Sequence, residues 1–321
     1  MRVTLPALII LLFITSCQEQ NTKPSAAGRS GELLVVMPEA LWRTDVADAI
    51  QSTFAKEQYG LPQAEPLFRV VSVNKENFSG LLKHHRNILM AEIAPGEPQM
   101  KYQKDTWARQ QIVIKATAPD TVSLEVLLAT QGKQLIEYFN NEERQRILAG
   151  YKKLREKTVE SSIAKEFNMN LTIPEGYYIA THKDGFMWLR RENPDVSQGL
   201  MIYERPYIDT IDLNKNRILA VRDSISSLYI PGPEPNTYMI TEMQYPPSHN
   251  PLEINNAYTI EMRGLWRTEG YFMGGPFINY SIVDSKNKRI ITVDGFVYAP
   301  RFDKREYLRQ LEAIIYSLEL Q

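Results

Sequence analysis

The chain is 321 residues long, and its 37 Lys and Arg against 38 Asp and Glu give a net charge of −1. Without a basic excess, nucleic acid and anionic lipid surfaces are excluded as expected partners. The single cysteine, Cys17, excludes a disulfide within the chain. The length suits one large or two medium domains, and a hydrophobic content of 43% is enough for a core.

The first 16 residues predict a lipoprotein signal peptide. Arg2 precedes the apolar run 5–14, and Ile14-Thr15-Ser16 followed by Cys17 is a bacterial lipobox. One alternative, a transmembrane helix, needs about 20 apolar residues, roughly twice this run. The other is a chance cysteine after an ordinary signal peptide, but the only Cys of the chain stands where a lipobox needs it. We therefore expect cleavage before Cys17 and attachment to a membrane through acyl chains on its thiol.

Residues 17–30 are polar and small, and they predict a flexible tether between the anchor and the folded body. No Asp follows Cys17, which favours the outer membrane of a bacterial cell envelope over retention in the inner membrane. The sequence leaves the leaflet open.

Residues 31–170 predict an N-terminal α/β half with long helices. Glu32–Met37 is typical of a buried strand, and a helix beginning at Thr44 or Asp45 places apolar residues on one face as far as Phe54. Further predicted elements are strands at 67–73, 88–93 and 111–116, a short helix at 78–83, and long helices at 123–139 and 142–167.

The second long helix carries many basic residues, which could be read as a nucleic-acid patch. Glutamates are interleaved with them, so the sequence favours a solvated helix face. The residues concerned are Arg144, Arg146, Lys152, Lys153 and Arg155, with Glu142, Glu143, Glu156 and Glu160.

Residues 171–321 predict an antiparallel sheet with packed helices. The fold class expected for the chain is α+β: two α/β sandwich-like halves with mostly antiparallel sheets, joined by long helices. The predicted strands are 177–181, 186–191, 200–204, 258–266, 277–283 and 290–298, and the predicted helices are 214–228 and one beginning at Asp303.

Aromatic residues stand beside glycines in 264–277, the most unusual segment of the second half. Such a segment can form a ligand platform, because glycine allows close backbone approach. The alternative is two strands joined by a tight turn, with the aromatic residues in the core. The candidate ligand surface consists of Arg263, Trp266, Glu269, Tyr271 and Phe272.

No motif predicts a catalytic residue, a metal site or a cofactor. His84, His85, His182 and His249 lack the spacing of a zinc site, and no Gly-x-Ser-x-Gly elbow occurs. Glycoside hydrolysis needs two carboxylates about 5–10 Å apart. The candidates for such a pair are Glu242, Glu253, Glu261, Glu269 and Asp294.

Three Asp-Ser/Thr-aliphatic triplets resemble the O-glycosylation sites of envelope proteins in the Bacteroidota. Their acceptor residues are Thr121, Thr210 and Ser224. The alternative is helix capping, since Asp and Ser/Thr favour helix N-termini.

Several blocks along the chain resemble the Bacteroidota lipoprotein family numbered 4837 among domains of unknown function. The resemblance implies one unit in the cell envelope and supplies no activity. The blocks are 31–36, 61–68, 86–88, 263–266, 270–277, 295–300 and 305–313, among them Arg263-Gly264-Leu265-Trp266 and Leu308-Arg309-Gln310-Leu311-Glu312-Ala313.

Two functions are compatible with the sequence. The first is a non-enzymatic envelope lipoprotein that binds or assembles another envelope component, either a protein or a glycan. The second is a glycan or cell-wall hydrolase with paired carboxylates, one of which has a raised pKa.

Overall fold

The computed structural model describes residues 23–321. The predicted signal peptide (1–16) and Cys17 lie outside the described residues. The α-helices of the described chain are α1 (Asp45–Phe54), α2 (Thr121–Tyr151), α3 (Lys157–Phe167), α4 (Lys215–Tyr229) and α5 (Arg305–Ile315), with short 3₁₀ helices at Glu39–Arg43, Lys75–Asn77, Gly80–His84 and Thr210–Leu213.

The first sheet is mostly parallel and has the strand order β2-β1-β3-β5-β4. Its strands are β1 (Glu32–Met37), β2 (Arg69–Asn74), β3 (Asn87–Ile93), β4 (Gln99–Lys104) and β5 (Ile112–Ala118). In β1, Leu33 and Val35 pack on the face covered by α1 and α2, whereas Leu34 and Val36 pack on the opposite face. Because both faces of this strand are buried, its sequence is apolar without alternation.

The second sheet has eight strands, each antiparallel to its neighbours. Seven follow the order β10-β12-β13-β14-β9-β8-β7, and β11 pairs with β12. Helix α4 covers one face, while α3 and α5 cover the other. The strands are β7 (Tyr178–Lys183), β8 (Phe186–Asn193), β9 (Val196–Pro206), β10 (Tyr238–Thr241), β11 (Asn250–Ile254), β12 (Ala257–Glu269), β13 (Tyr271–Asp284) and β14 (Arg289–Tyr298); β6 (Met169–Asn170) and β15 (Glu319–Leu320) form a separate pair.

The predicted α+β class with mostly antiparallel sheets is confirmed. Of the twelve strand pairs in the described chain, nine are antiparallel, and the three parallel pairs all lie in the first sheet. Helix α2 of the first half packs on α5 of the second, so these helices form part of the contact between the two halves.

Helix α2 does not end at Asn140-Asn141, as the sequence predicts, but continues to Tyr151. Asparagine in a helix interior costs less than about 1 kcal/mol. That cost is offset beyond the two asparagines, where Leu148 is buried and Glu143 forms buried ion pairs with Arg86 and Arg146. The helix ends instead at 152–156, where the backbone N–H of Glu156 donates to the Ile173 carbonyl at 2.9 Å.

The charge run on this helix is not a wholly solvated face. The side chains of Arg146 and Glu143 are only 8% and 1% exposed and form an ion pair at 3.1 Å. Arg86 also binds Glu143 at 3.1 Å. These groups fasten α2 to the start of β3, and the sequence pattern alone does not reveal that they face inward.

The C-terminal end of the predicted flexible tether is bound to the folded body in the structure. Residues 24–27 lie along the first half: the N–H of Ala26 donates to the Arg109 carbonyl at 3.0 Å, and that of Ala27 to the His84 carbonyl at 2.8 Å. A polar sequence therefore does not prevent this segment from pairing, since its backbone supplies the hydrogen bonds. Among residues 23–321, no helix combines the length and the apolar character needed to cross a membrane.

Candidate functional site

A polar cleft of about 970 Å³ opens between the two halves of the fold. Helix α2 and the segment 56–67 form one wall, and β11, β12 and α5 form the other. Five basic residues line it: Lys56, Lys133, Arg144, Arg263 and Arg309. Five acidic residues line it as well: Glu57, Glu137, Glu253, Glu261 and Glu312.

The segment 55–68, between α1 and β2, joins the halves beside the cleft. We call it the docking loop. The carboxylate of Glu65 accepts hydrogen bonds from the backbone N–H groups of Lys304 at 2.7 Å and Arg305 at 3.0 Å. A residue of the first half thus satisfies free N–H groups at the start of α5, the last helix of the second half.

Arg309 extends this contact by one helical turn. Its guanidinium donates to the Leu67 carbonyl at 2.5 Å and to Oδ1 of Asn140 at 3.2 Å. It also lies over the Phe68 ring, 4.8 Å from the centroid. Arg309 therefore ties α5 to both the docking loop and α2.

Gly60 brings the docking loop against strand β12. Its φ of +83° lies in the left-handed region, and an added Cβ would stand 3.0 Å from the backbone N of Gly264. Only glycine combines this φ with this approach at low cost. Next to it, the Tyr59 hydroxyl donates to the Pro246 carbonyl, and the Tyr59 ring stacks on Tyr245 at 4.8 Å.

Two carboxylates of the cleft share one guanidinium. Nη2 of Arg263 donates to Oε2 of Glu261 at 2.8 Å and to Oε1 of Glu312. Glu261 and Arg263 lie on the same face of β12 because they are two residues apart in a strand. Tyr280 lies directly opposite Glu261 on β13, and its hydroxyl donates to Oε2 of Glu261 at 2.6 Å.

This environment holds Glu261 in its ionised form. Burial alone raises the pKa of the Glu261 carboxyl, but the positive charge of Arg263, with hydrogen bonds from Arg263 and Tyr280, more than offsets it and lowers the pKa below the usual value. Burial and the two carboxylates raise the pKa of Tyr280 well above its usual value. Glu261 is therefore an acceptor at neutral pH and not a proton donor.

Arg144 lies at the same end of the cleft and has unused donors. Its guanidinium stacks on the Tyr316 ring at 4.0 Å. Its Nε is buried and has no hydrogen-bond partner among residues 23–321. The nearest carboxylate oxygen, Oε2 of Glu312, is 3.8 Å from Nη1, which is beyond hydrogen-bond range.

The structure separates the five residues of the predicted ligand surface. Arg263 faces the cleft, whereas Trp266, three residues further along β12, points to the opposite face and is 3% exposed. Trp266 lines a small space of about 80 Å³ beside Phe296. Glu269, Tyr271 and Phe272 stand at the β12–β13 turn, where Phe272 is fully exposed.

The carboxylates considered from sequence are also dispersed. Glu253 and Glu261 line the cleft. Glu242 and Glu269 both lie beside Arg267, at 3.7 Å and 2.7 Å. Asp294 is fully buried on the other side of the sheet, and this burial raises the pKa of its carboxyl.

The four histidines do not cluster. His85 lies 3.6 Å from Glu32, His182 binds Glu166 at 2.8 Å, and His249 binds the Leu213 carbonyl at 2.9 Å. Within residues 23–321, no three His, Cys, Asp or Glu side chains are placed to hold a metal ion.

Thr121, Thr210 and Ser224 are all exposed on the surface. The aspartates before the first two act as helix caps: Asp120 accepts from the N–H of Ser123 at 2.8 Å, and Asp209 from that of Ile211 at 2.7 Å. Asp223, before Ser224, accepts from the N–H of Thr241 at 2.8 Å. Each aspartate thus has a structural role of its own.

Sequence reasoning missed Arg144 and Glu312 as parts of the site. Arg144 belongs to the charge run that the sequence predicts to be solvated, and Glu312 is a buried charged residue of the amphipathic helix α5. One signal was present: Lys133, Glu137, Asn140 and Arg144 recur at intervals of three and four, which places them on one face of α2.

The fold and the cleft define a two-sheet α+β protein with a charge-balanced site between its halves. The family model of the domain of unknown function DUF4837 matches residues 156–317, half of the chain, and the protein belongs to that family. A second model, the domain of unknown function DUF8532, matches residues 26–152. No curated protein matches the chain.

Proposed function

We propose that this protein is a lipid-anchored component of the bacterial cell envelope, in the outer membrane, that binds another envelope component in the cleft between its halves without catalysing a reaction. The observation that carries the proposal is the Glu261–Arg263–Glu312 arrangement. One guanidinium binds both carboxylates, which suits a recognition surface better than an acid–base pair.

The anchor is supported by the lipobox at Cys17. Because residues 24–27 pair with the body, at most seven residues, 17–23, separate the predicted anchor from it. Seven extended residues span about 25 Å at most. In this proposal, the first half stands close to the membrane surface.

A glycan or cell-wall hydrolase is the second candidate. Glu261 and Glu312 do face one cleft, as paired carboxylates must. A hydrolase of this type also needs a carboxylic acid with a raised pKa to protonate the leaving group. The pKa of Glu261 is lowered, and the raised pKa of Asp294 belongs to a residue buried away from the cleft. Binding is therefore favoured over hydrolysis.

The anchor can be tested by metabolic labelling with an alkyne fatty acid. We expect label on the wild-type protein and none on Cys17→Ala, with the wild-type protein in the outer-membrane fraction. Label that persists on Cys17→Ala would contradict the anchor.

The binding role can be tested in living cells with a short aliphatic diazirine amino acid, small enough to leave the cleft open, placed at one position in the cleft. Asn141 is exposed and lines the cleft, whereas Asn193 is equally exposed in the second half and does not line it. We expect one defined adduct from position 141, none from position 193, and loss of the adduct in Cys17→Ala. The absence of an adduct at 141, in protein that is present and acylated, would contradict a binding role.

A further inference from the structure

The cleft presents an unused donor and an available acceptor side by side. Nη1 of Arg144 lies 3.8 Å from Oε2 of Glu312, too far for a hydrogen bond between them. Oε1 of Glu312 is already bound by Arg263. A ligand group placed between Nη1 and Oε2 can form two hydrogen bonds that these side chains do not form with each other.

The hydrogen-bonding character of the two groups limits what can satisfy both. Arginine only donates and an ionised carboxylate only accepts. A group that contacts both must accept from Arg144 and donate to Glu312. A hydroxyl does both with one oxygen, and hydrogen bonds of ordinary length allow one oxygen to touch two atoms that are 3.8 Å apart.

The charge balance of the cleft disfavours a charged ligand. Its lining contains five basic and five acidic residues. A bound anion would lie against Glu261 and Glu312, and a bound cation against Arg144 and Arg263, without a compensating excess of the opposite sign. The ligand expected from this lining is neutral.

The remaining lining suits a chain of hydroxyl groups. Amides at Gln58, Asn141 and Asn250 can both donate and accept, and the half-exposed Tyr59 adds an aromatic surface. A volume of about 970 Å³ is at the upper end of the range for small-molecule sites, so it can hold several linked units.

We infer that the cleft binds a neutral oligosaccharide, one hydroxyl of which bridges Arg144 and Glu312. The inference rests on the proposed binding function and names the chemical class of its ligand. It requires no covalent step and no metal ion.

The test is calorimetric titration of the full chain in detergent with a panel of hexasaccharides. The neutral probes are the gluco-, manno-, galacto- and xylo-hexaoses. Hexagalacturonate is the anionic probe, and hexaglucosamine is the cationic one. We expect saturable binding of at least one neutral probe and at least tenfold weaker binding of both charged probes.

Two variants locate the binding. Arg144→Met keeps a long side chain on Tyr316 but removes all donors, and Asn141→Trp fills the cleft without touching the ion pairs. We expect each to weaken binding of the neutral probe at least tenfold. The matched controls are Arg43→Met and Asn193→Trp, both exposed outside the cleft, and they should bind like the wild type.

Several results would overturn the inference: no neutral probe binds, a charged probe binds better, or the neutral probe binds equally to Arg144→Met and Asn141→Trp in folded protein. The crosslinking experiment separates this failure from failure of the proposed function. A protein adduct at Asn141, without carbohydrate binding, would keep the binding role and remove the oligosaccharide. The absence of any adduct and of any probe binding would remove both.

Discussion

Arg222 and Asp294 form an ion pair that is completely buried between α4 and the second sheet. Nε of Arg222 donates to Oδ2 of Asp294 at 2.9 Å, and neither side chain is exposed. The guanidinium also lies 3.8 Å from the centroid of the Phe277 ring. Asn279 donates to the same Oδ2 at 2.8 Å, so the carboxylate is held from two sides.

Removing one partner of this pair should be severely destabilising. Arg222→Met leaves the Asp294 carboxyl buried without its cation, and we expect a loss of about 3–5 kcal/mol in the free energy of unfolding. The double variant Arg222→Met/Asp294→Leu should recover most of this loss, because no buried charge remains. Urea denaturation of the three proteins tests the prediction, and a double variant no more stable than Arg222→Met would contradict it.

Glu65→Ala should weaken the contact between the halves. The substitution leaves two N–H groups at the start of α5 without their acceptor, and such caps contribute about 1–2 kcal/mol. Glu39→Ala is the control, since Glu39 forms an exposed pair with Arg43 and should change stability by less than about 0.5 kcal/mol. Equal midpoints of urea unfolding for the two variants would show that the cap contributes nothing.

The free energy of unfolding should fall at acid pH as Glu261 becomes protonated. Its folded-state pKa lies below the ordinary 4.5, so the ionised carboxylate stabilises the fold above that pH, and the contribution disappears as the pH falls through the folded-state pKa. The free-energy difference between wild type and Glu261→Gln should therefore be largest at neutral pH and shrink below pH 4.5. Urea titrations from pH 7 to pH 3 measure it, and a difference independent of pH would refute the assignment.

Gly60→Ala should cost more than Gly80→Ala. Both glycines have a positive φ, of +83° and +54°, but an added Cβ meets backbone atoms of β12 at Gly60 and has no atom within 4 Å at Gly80. Backbone strain alone costs about 1–2 kcal/mol in the left-handed region, and Gly60→Ala adds a clash. Thermal unfolding of the two variants compares them directly. Equal melting temperatures would mean that the docking loop moves away from β12 and accommodates the added methyl group at no extra cost.

Substitution of Trp266 should destabilise the protein far more than substitution of Phe272, although both belong to the ligand surface expected from sequence. Trp266→Ala empties a core position and should cost about 3–5 kcal/mol. Phe272→Ala removes a fully exposed ring and should change stability by less than about 0.5 kcal/mol. A marked loss of stability in Phe272→Ala would show that its ring packs in the folded protein.

The sequence predicted those helices and strands in which the apolar residues that become buried form a pattern typical of the element. Val46, Ile50 and Phe54 form the buried face of α1, and β1 spans Glu32–Met37 as expected. Strand β4 was missed because five of its six residues are exposed and lack an apolar alternation. The predicted helix end at Asn140-Asn141 was wrong because tertiary packing outweighs the small cost of asparagine in a helix interior.

The site was harder to predict than the fold. Glu261 and Arg263 could be singled out in sequence, but their partner Glu312 is 49 residues away from Arg263 and meets it only through the packing of α5. Arg144 approaches them from the other half. Such a convergence depends on how the two sheets stack, and no short-range pattern encodes it.

The docking loop has a consequence for how a ligand enters the cleft. Glu65, Arg309 and Gly60 tie the halves together at points around the cleft itself, so its width is set by the same hydrogen bonds that hold the fold. We therefore expect the cleft to keep its width when a ligand enters, because closing one half on the other would break these contacts. Selection among ligands should then depend on how well their shape fits the cleft that is already formed.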